Sequence, residues 1–544
     1  MNTALVLAAF ALDLMLSNGR VLTQDPARPE AAAIGIRADR IVIVGSEADV
    51  ARAAGPDTRH IDLGGALVLP GLVDSHVHLR SLGEQLTSLD LRGVASLDEV
   101  VRRAAVASSE LPEGEWLDGI GWDQNLWSGG YPDHRPLTAA VPERPAWLLR
   151  IDWYAGWANA KAMQAAGITR DTPDPQGGRV VKDATGEPTG LFLGEAVNLV
   201  TRAKPARSRA RLKDLLRPAL ARCAAMGLTE VHDAAATLEE ASAFRELAEA
   251  GQLPIRVHLM WKGYGAEDVE AMLAQPVLVG HRDRLTHRTL KLIIDGTMGS
   301  HGALFFDDYA DDPGNRGFFV TPIERIRRLT EDAMRRGYQV ATHAIGDRGI
   351  SLTLDAFEAA LAAVRPRDPR PRIEHLQCVR RGDIDRVKRL GLIASMQPSH
   401  ATAEFTWSEK RVGLERGRGL YALRWVLDAG VPLAAGSDLP VDDESPLTGI
   451  HSALTRQNTR GEPEGGWHSE QRLTLDEALH AYTLGPAYAA FEEDRKGRIA
   501  LGQWADLTIL ARDLRAIPAS EIPRVEVLGT LVGGRLAYRD PRLR

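Results

Sequence analysis

The chain has 544 residues, room for three or four units at about 150 residues per domain, or for one large barrel with an appended domain. Hydrophobic residues make up 44% and charged residues 26%, proportions of a soluble globular protein that exclude a disordered or low-complexity chain. The net charge of −7 argues against nucleic-acid binding through bulk positive charge. The two cysteines, Cys223 and Cys378, lie far apart and exclude a disulfide scaffold or thiolate zinc site, so metal chemistry would rest on carboxylates and the 15 histidines.

Residues 3–12 form a short apolar run. No Lys or Arg precedes it, as a signal peptide's charged start requires, and it is too short to span a bilayer. The expected location is cytoplasmic; export, with this run as an atypical signal peptide, is the alternative. No other stretch is long and apolar enough for a membrane helix, so neither a membrane nor a nucleic acid is expected as a partner.

Residues 13–23 read as a strand, an Asn18-Gly19 turn and a second strand, a strong hairpin signal. Strands at 33–37, 40–44, 61–63 and 66–69 follow, and 497–499, 505–510, 525–532 and 535–538 are strand-like at the other end. Each set is too small for a domain of its own. A single small β-sandwich built from 1–68 plus 495–544 is the economical reading.

Between these ends, eight short apolar segments suit buried parallel strands: 69–76, 228–232, 255–261, 290–295, 339–343, 372–375, 392–397 and 432–438. Helical stretches such as 323–336, 350–364 and 420–429 separate them. Eight strand–helix units predict an α/β fold, a (β/α)8 TIM barrel within 69–494. The gap after the first strand is too long for one helix, so an insertion occupies about 80–205. It carries Trp116, Trp122, Trp127, Trp147, Trp153 and Trp157, which reads as a packed subdomain core; a partial roof over an active site is the alternative.

Function in a TIM barrel lies at the carboxyl ends of the strands, and four of these ends carry metal-competent residues. The first ends Asp74-Ser75-His76-Val77-His78, and alternation puts both imidazoles on one side, in reach of one ion. The fifth ends in His343, the sixth in His375 and the eighth in Asp438. Nitrogen and oxygen donors without thiolate suit zinc, manganese, iron or cobalt. In the fourth strand Lys291 is a charge within an apolar run, and burying an unpaired ammonium is costly. It resolves by snorkelling, by a salt bridge, or by carbamylation with carbon dioxide, which yields a carboxylate able to bridge two cations.

These segments resemble the amidohydrolase superfamily over nearly the whole chain. The resemblance rests on Leu69-Pro70-Gly71-Leu72-Val73-Asp74-Ser75-His76-Val77-His78 and on Gly502-Gln503-Trp504-Ala505-Asp506-Leu507. Within the superfamily the chain resembles the amidohydrolase-3 group, which holds YtcJ-like and N-substituted formamide deformylase-like proteins. Asp295-Gly296-Thr297-Met298-Gly299-Ser300, His343-Ala344-Ile345-Gly346-Asp347-Arg348, Arg372-Ile373-Glu374-His375, Ser395-Met396-Gln397-Pro398-Ser399-His400 and Gly436-Ser437-Asp438 carry that likeness.

The resemblance implies two divalent ions, zinc first. His76 and His78 would bind the more buried ion, His343 and His375 the second, with carbamylated Lys291 bridging them. Asp438 would bind the first ion and act as general base for a metal-activated hydroxide, then pass the proton to the leaving nitrogen. Glu374 precedes a ligand, so alternation turns it away from the metals to pair with Arg372. Asp347 is placed to cap the following helix. His400 is the foremost candidate for touching substrate; Trp122, Asp123 and Gln397 are weaker ones. Two departures from the group's pattern, Tyr154 where an imidazole is common and His301 where an Arg is common, imply altered substrate choice at the pocket mouth.

The implied activity is hydrolysis of an amide-type, non-peptide C–N bond in a small molecule. An ester, lactone or carbamate at the same site is the alternative, and a noncatalytic metal-binding protein is the reading from another class. No G-x-S-x-G elbow or phosphate-binding glycine motif points to a serine hydrolase or a nucleotide cofactor. A homodimer fits a chain of this type.

Overall fold

A computed structural model describes residues 11–127, 130–150, 155–175, 178–194, 196–205, 208–265, 268–299, 301–441 and 445–544. The N-terminal apolar run falls outside them except for residues 11 and 12, as does Tyr154. Two compact units emerge, Met1–Arg80 with Leu216–Arg544, and Ser81–Leu215. Among the described residues no helix is long and apolar enough to cross a membrane.

In the larger unit eight strands run in order through a nine-stranded sheet: β1 (Leu72–Val77), β2 (Leu228–Ala236), β3 (Arg256–Lys262), β4 (Leu285–Ile293), β5 (Gln339–Ala344), β6 (Arg372–His375), β7 (Ile393–Met396) and β8 (Leu433–Ala435), with Leu278–His281 added antiparallel beside β4 off that path. Every neighbouring pair among the eight is parallel and in sequence order. A bridge between Val77 and Leu439 returns the last strand to the first. There the Asp438 N–H donates to the His76 carbonyl at 2.8 Å, and the His78 N–H donates to the Leu439 carbonyl at 2.9 Å. This is the predicted TIM barrel, and its closure sets the ends of β1 and β8 side by side.

Two sheets enclose a second core, and one of them holds strands from both termini. Arg535–Arg539, Val527–Val532, Leu507–Leu510, Leu67–Pro70, Arg20–Leu22 and Glu30–Ala31 form one sheet. Arg40–Gly45, Ala33–Arg37, Leu14–Ser17 and Arg59–Asp62 form the other. Leu16, Val21, Ile34, Val68, Ile509 and Leu531 share one buried cluster between them. The first barrel strand therefore begins at Leu72, because Leu67–Pro70 pairs with Leu507–Leu510 in the sandwich. Gly71 marks the switch: a Cβ there would lie 2.2 Å from Thr229 Oγ1.

Two sequence expectations fail here. The Asn18-Gly19 turn does not close a hairpin. Leu14–Ser17 pairs with Ala33–Arg37 and Arg59–Asp62, whereas Arg20–Leu22 pairs with Leu67–Pro70 in the opposite sheet. The tight turn passes the chain between layers, since the local signal fixes the bend and not the strand's partner. Residues 497–499 form no strand; Ile499 only donates its N–H to the Thr23 carbonyl at 2.8 Å and buries its side chain in the sandwich.

The sandwich is locked to the barrel by a buried ion pair. Arg256 of β3 donates through Nε and Nη2 to Asp506 at 2.7 and 3.0 Å, and its guanidinium stacks 3.8 Å from the Trp504 ring. Asp506 also accepts the Gly533 N–H at 2.7 Å.

The smaller unit holds a six-stranded sheet ordered Gly178–Lys182, Pro188–Gly194, Ala155–Ala158, Ala146–Arg150, Leu117–Trp122 and Leu89–Asp90. Trp153 lies outside the described residues; of the others, Trp122, Trp147 and Trp157 are buried in its clusters, Trp122 stacking on Trp127 at 6.0 Å and meeting Trp157 edge-on at 6.4 Å.

Removing the carboxylate of Asp506 leaves a guanidinium buried without its partner. Asp506→Ala is expected to lower the unfolding free energy by about 3–5 kcal/mol, read from urea unfolding. An unchanged midpoint and slope would contradict the lock.

Candidate metal centre

The strand ends bring six sequence-predicted residues to the carboxyl end of the barrel. His76 and His78 leave β1 with ring centroids 5.5 Å apart. Asp438 Oδ1 lies 3.1 Å from His78 Nε2 and 3.5 Å from His76 Nε2. The His375 ring is 4.9 Å from that of His76 and 4.5 Å from that of His343. Lys291 Nζ stands 3.1 Å from His76 Nε2. At 2% exposure it cannot snorkel, and among the described residues it makes no salt bridge with a carboxylate.

The protonation pattern follows from these contacts. Glu374 Oε2 sits 2.6 Å from His76 Nδ1. The carboxylate can only accept, so Nδ1 carries the proton and Nε2 presents its lone pair inward. Gln397 Oε1 likewise accepts from His375 Nδ1–H at 2.8 Å, freeing His375 Nε2. Burial, with Lys291 nearby, lowers the pKa of His76 to about 4 and that of His343 to about 3. Burial, reinforced by His343 and His76, holds His375 well below the ordinary range. All three are neutral ligands-in-waiting at pH 7. Burial pushes the Asp438 carboxyl up, but the group is held well below the ordinary range, with His78 Nε2 3.1 Å from its Oδ1. Burial lowers Lys291 to about 8, which leaves about a tenth of the amine as free base at pH 7.

The donors fit a divalent ion. Two groups of three, His76, His78 and Asp438, and His375, His400 and Asp438, each offer atoms within 4.8 Å of one another. The Nε2 atoms of His343 and His400 are buried and lack hydrogen-bond partners among the described residues. Neutral imidazoles plus a carboxylate are the donor chemistry of zinc and its neighbours.

The supporting residues differ from the sequence reading in part. Glu374 pairs with Arg372, as expected, with Nε to Oε1 at 2.8 Å, but it also grips His76. Simple alternation breaks because His375 adopts φ 74° and Leu376 φ 45°. This left-handed turn brings His375 to the site although Glu374, its neighbour, already faces the barrel interior. Asp347 does not cap its helix: it is the first residue of Asp347–Val364 and accepts the Phe306 N–H at 3.0 Å. Gln397 orients His375. His301 is held by Arg411 at 2.8 Å and Asp311 at 3.1 Å, in a cluster of its own. Trp122 is wholly buried in the insertion's core and donates to the Leu148 carbonyl, and Asp123 pairs with Arg150 at 2.7 Å.

Two residues with structural roles at the site were missed. Asp74 accepts the N–H groups of His76 and Ser437, both at 3.0 Å, and the Ser437 hydroxyl at 2.5 Å, fixing the turn that presents Asp438. Asp295 accepts from Leu304, Gly346 and Ile345 at 2.8, 2.9 and 3.1 Å, tying the end of β4 to the end of β5. A carboxylate inside each apolar strand run was the available signal.

The sequence matches the pattern of the Amidohydrolase family over residues 59–538. The chain belongs to that family. It is 34% identical to YtcJ of Bacillus subtilis (strain 168) over 499 residues, 89% of this chain and 91% of that protein. It is 30% identical to the N-substituted formamide deformylase of Arthrobacter pascens over 546 residues, 97% of this chain and 98% of the other. A solved metal-dependent hydrolase from Pyrococcus horikoshii OT3 superposes with a TM-score of 0.79 at 26% identity, covering 93% of this chain and 99% of the other. This amidohydrolase is thus a metal-dependent hydrolase acting on carbon–nitrogen bonds, with a divalent metal as its cofactor.

Glu374→Gln replaces an acceptor-only carboxylate by an amide that no longer enforces the His76 tautomer. Divalent-metal affinity is expected to fall about 10–100-fold, measured by chelator competition. Wild-type affinity would contradict the assigned grip.

Proposed function

We propose that this amidohydrolase cleaves an amide-type, non-peptide C–N bond of a small molecule at a two-ion centre, zinc being the first choice of metal. The observation that carries the reading is the convergence of His76, His78, His375 and Asp438, imidazoles gathered around one carboxylate. His76, His78 and Asp438 would hold one ion, His343 and His375 the other. Where bound, the ions supply Lewis acidity, lowering the pKa of water toward about 7 and polarising the carbonyl under attack.

The protein's own groups handle the protons. Asp438 is ionised and reaches the site through Oδ1. It accepts the proton of the attacking water and returns it to the leaving nitrogen, which otherwise departs as a poor amide anion. Glu374 holds His76 in one tautomer, and Gln397 does the same for His375. Lys291 is the bridging group of this proposal. Its free-base nitrogen adds to the carbon of carbon dioxide, loses one proton and becomes a carbamate. The buried position, the absence of a carboxylate salt bridge among the described residues and the 3.1 Å approach to His76 support that role. The relative named N-substituted formamide deformylase makes N-formyl amides the first substrates to try.

Asp438→Asn is expected to cut turnover by about 10²–10⁴-fold while the protein still binds metal; full activity would remove Asp438 from the proton path. Lys291→Ala is expected to lose activity, with partial return when short carboxylates are added to fill the bridge. Unchanged activity in Lys291→Ala would overturn the bridging role.

A further inference from the structure

At the candidate metal centre both His343 and His400 have a buried Nε2 without a hydrogen-bond partner among the described residues. The rest of each ring separates them. A metal-ligating histidine almost always gives its second ring N–H to a carboxylate or carbonyl, which fixes the tautomer and turns the other nitrogen to the ion. His76 gives its Nδ1–H to Glu374, and His375 gives its own to Gln397. His343 has the Gly296 backbone carbonyl as its acceptor, with Nε2 left over. His400 has no such anchor: neither ring nitrogen is hydrogen-bonded among the described residues. It lacks the feature these three ligand candidates share, and its nitrogens remain available to a group that arrives later.

His400 is nevertheless fixed at the site. It lies in the short helix Pro398–Glu404 directly beyond β7 and is 8% exposed. Thr402 of that helix meets Ser452 hydroxyl to hydroxyl at 2.9 Å. The His400 ring runs beside that of His375, with centroids 6.3 Å apart and planes 10° from parallel. A nitrogen of His400, a nitrogen of His375 and a carboxylate oxygen of Asp438 lie within 4.8 Å of one another. Two hydrogen bonds of about 2.9 Å span that gap. A reacting group therefore fits between His400 and Asp438, the residue proposed to take the proton of the attacking water.

We propose that His400 is a catalytic residue that donates a ring N–H to the carbonyl oxygen of the substrate and holds the negative charge this oxygen gains under attack. The assignment rests on the hydrolysis proposed above. The water oxygen bonds to the carbonyl carbon, one water proton passes to Asp438, and the electron pair of the carbon–oxygen π bond moves onto the oxygen facing His400. When the C–N bond breaks, that pair re-forms the carbonyl and Asp438 gives the proton to the leaving nitrogen. His400 keeps its own proton throughout. A donor already aimed at the place where charge develops, in a site with little water, needs no reorganisation during the reaction.

The test uses the full-length protein loaded with cobalt, as wild type, His400→Phe and His400→Gln. Cobalt uptake, followed by visible absorption, is expected to match wild type in both variants, since His400 is no ligand; this also reports that they are folded. Methylphosphonate, a tetrahedral oxyanion, is then titrated against the cobalt band. His400→Phe is expected to bind it about 10–100-fold more weakly, the worth of a hydrogen bond to a charged oxygen. With N-formyl amides His400→Phe is expected to lose about 10²–10³-fold in kcat at little-changed KM. His400→Gln, which restores an N–H donor, is expected to regain part of both losses. Wild-type kcat in His400→Phe, whatever its KM, or wild-type affinity for methylphosphonate would overturn the proposal. Loss of a cobalt equivalent in His400→Phe would also overturn it, by making the residue a ligand. N-formyl amides left intact by wild type would overturn the substrate named above, and the methylphosphonate titration would still decide the role of His400.

Discussion

A carboxylate with no exposed surface, Glu374, organises the interior of this barrel. An ionised group removed from water must be matched by charge and hydrogen bonds. Arg372 matches it through Nε and Nη2, at 2.8 and 3.3 Å, and holds its pKa well below the ordinary range despite burial. Its other face fixes His76. The pairing continues away from the site. Arg372 Nη1 can only donate, so His232 Nδ1 accepts at 3.0 Å and His232 Nε2–H donates to Glu230 at 3.0 Å. Glu230 in turn meets Lys496, which also pairs with Glu492 at 2.5 Å. Alternating charges thus run from the chain's return to the sandwich, through the barrel, to a candidate metal ligand. Each link fixes the proton position of the next.

The backbone at the site is held in conformations that the surrounding bonds enforce. His375 and Asp438, both non-glycine, have φ of 74° and 61°, a region costing about 1–3 kcal/mol per residue. Asp74 clamps the turn before Asp438, and the Asp438 N–H is tied to the His76 carbonyl. These bonds make the strained geometry the only one that satisfies the buried groups around it. Such strain puts two side chains where a regular strand would not, which is how one strand end can present both Glu374 and His375 to the interior.

The barrel was legible because buried parallel strands are short, apolar and separated by helices; all eight lie within a few residues of their expected positions. The candidate ligand positions were legible for a related reason. His76, His78, His343, His375 and Asp438 are polar groups at the ends of apolar runs, where the fold converges. What escaped was partner choice and local backbone conformation. Asn18-Gly19 fixes a bend and says nothing about which sheet takes the next strand. Alternation ranks Glu374 and His375 on opposite faces, and the left-handed turn at His375 and Leu376 cancels that rule. Ile499 packs into the sandwich core, which periodicity cannot separate from strand pairing. The pocket candidates are less legible because loop side chains obey no period. His301 and Gln397 are engaged by protein partners, and Trp122 serves the insertion's own packing.

The central claim is that these converging imidazoles and one carboxylate hold two divalent ions. Elemental analysis of the full-length protein, purified without chelator and supplied with bicarbonate, tests it most directly. Two equivalents of metal per chain, predominantly zinc, are predicted. A single equivalent would reduce the centre to one ion with an unmodified Lys291, and no metal even after divalent ions and bicarbonate are added would contradict the account.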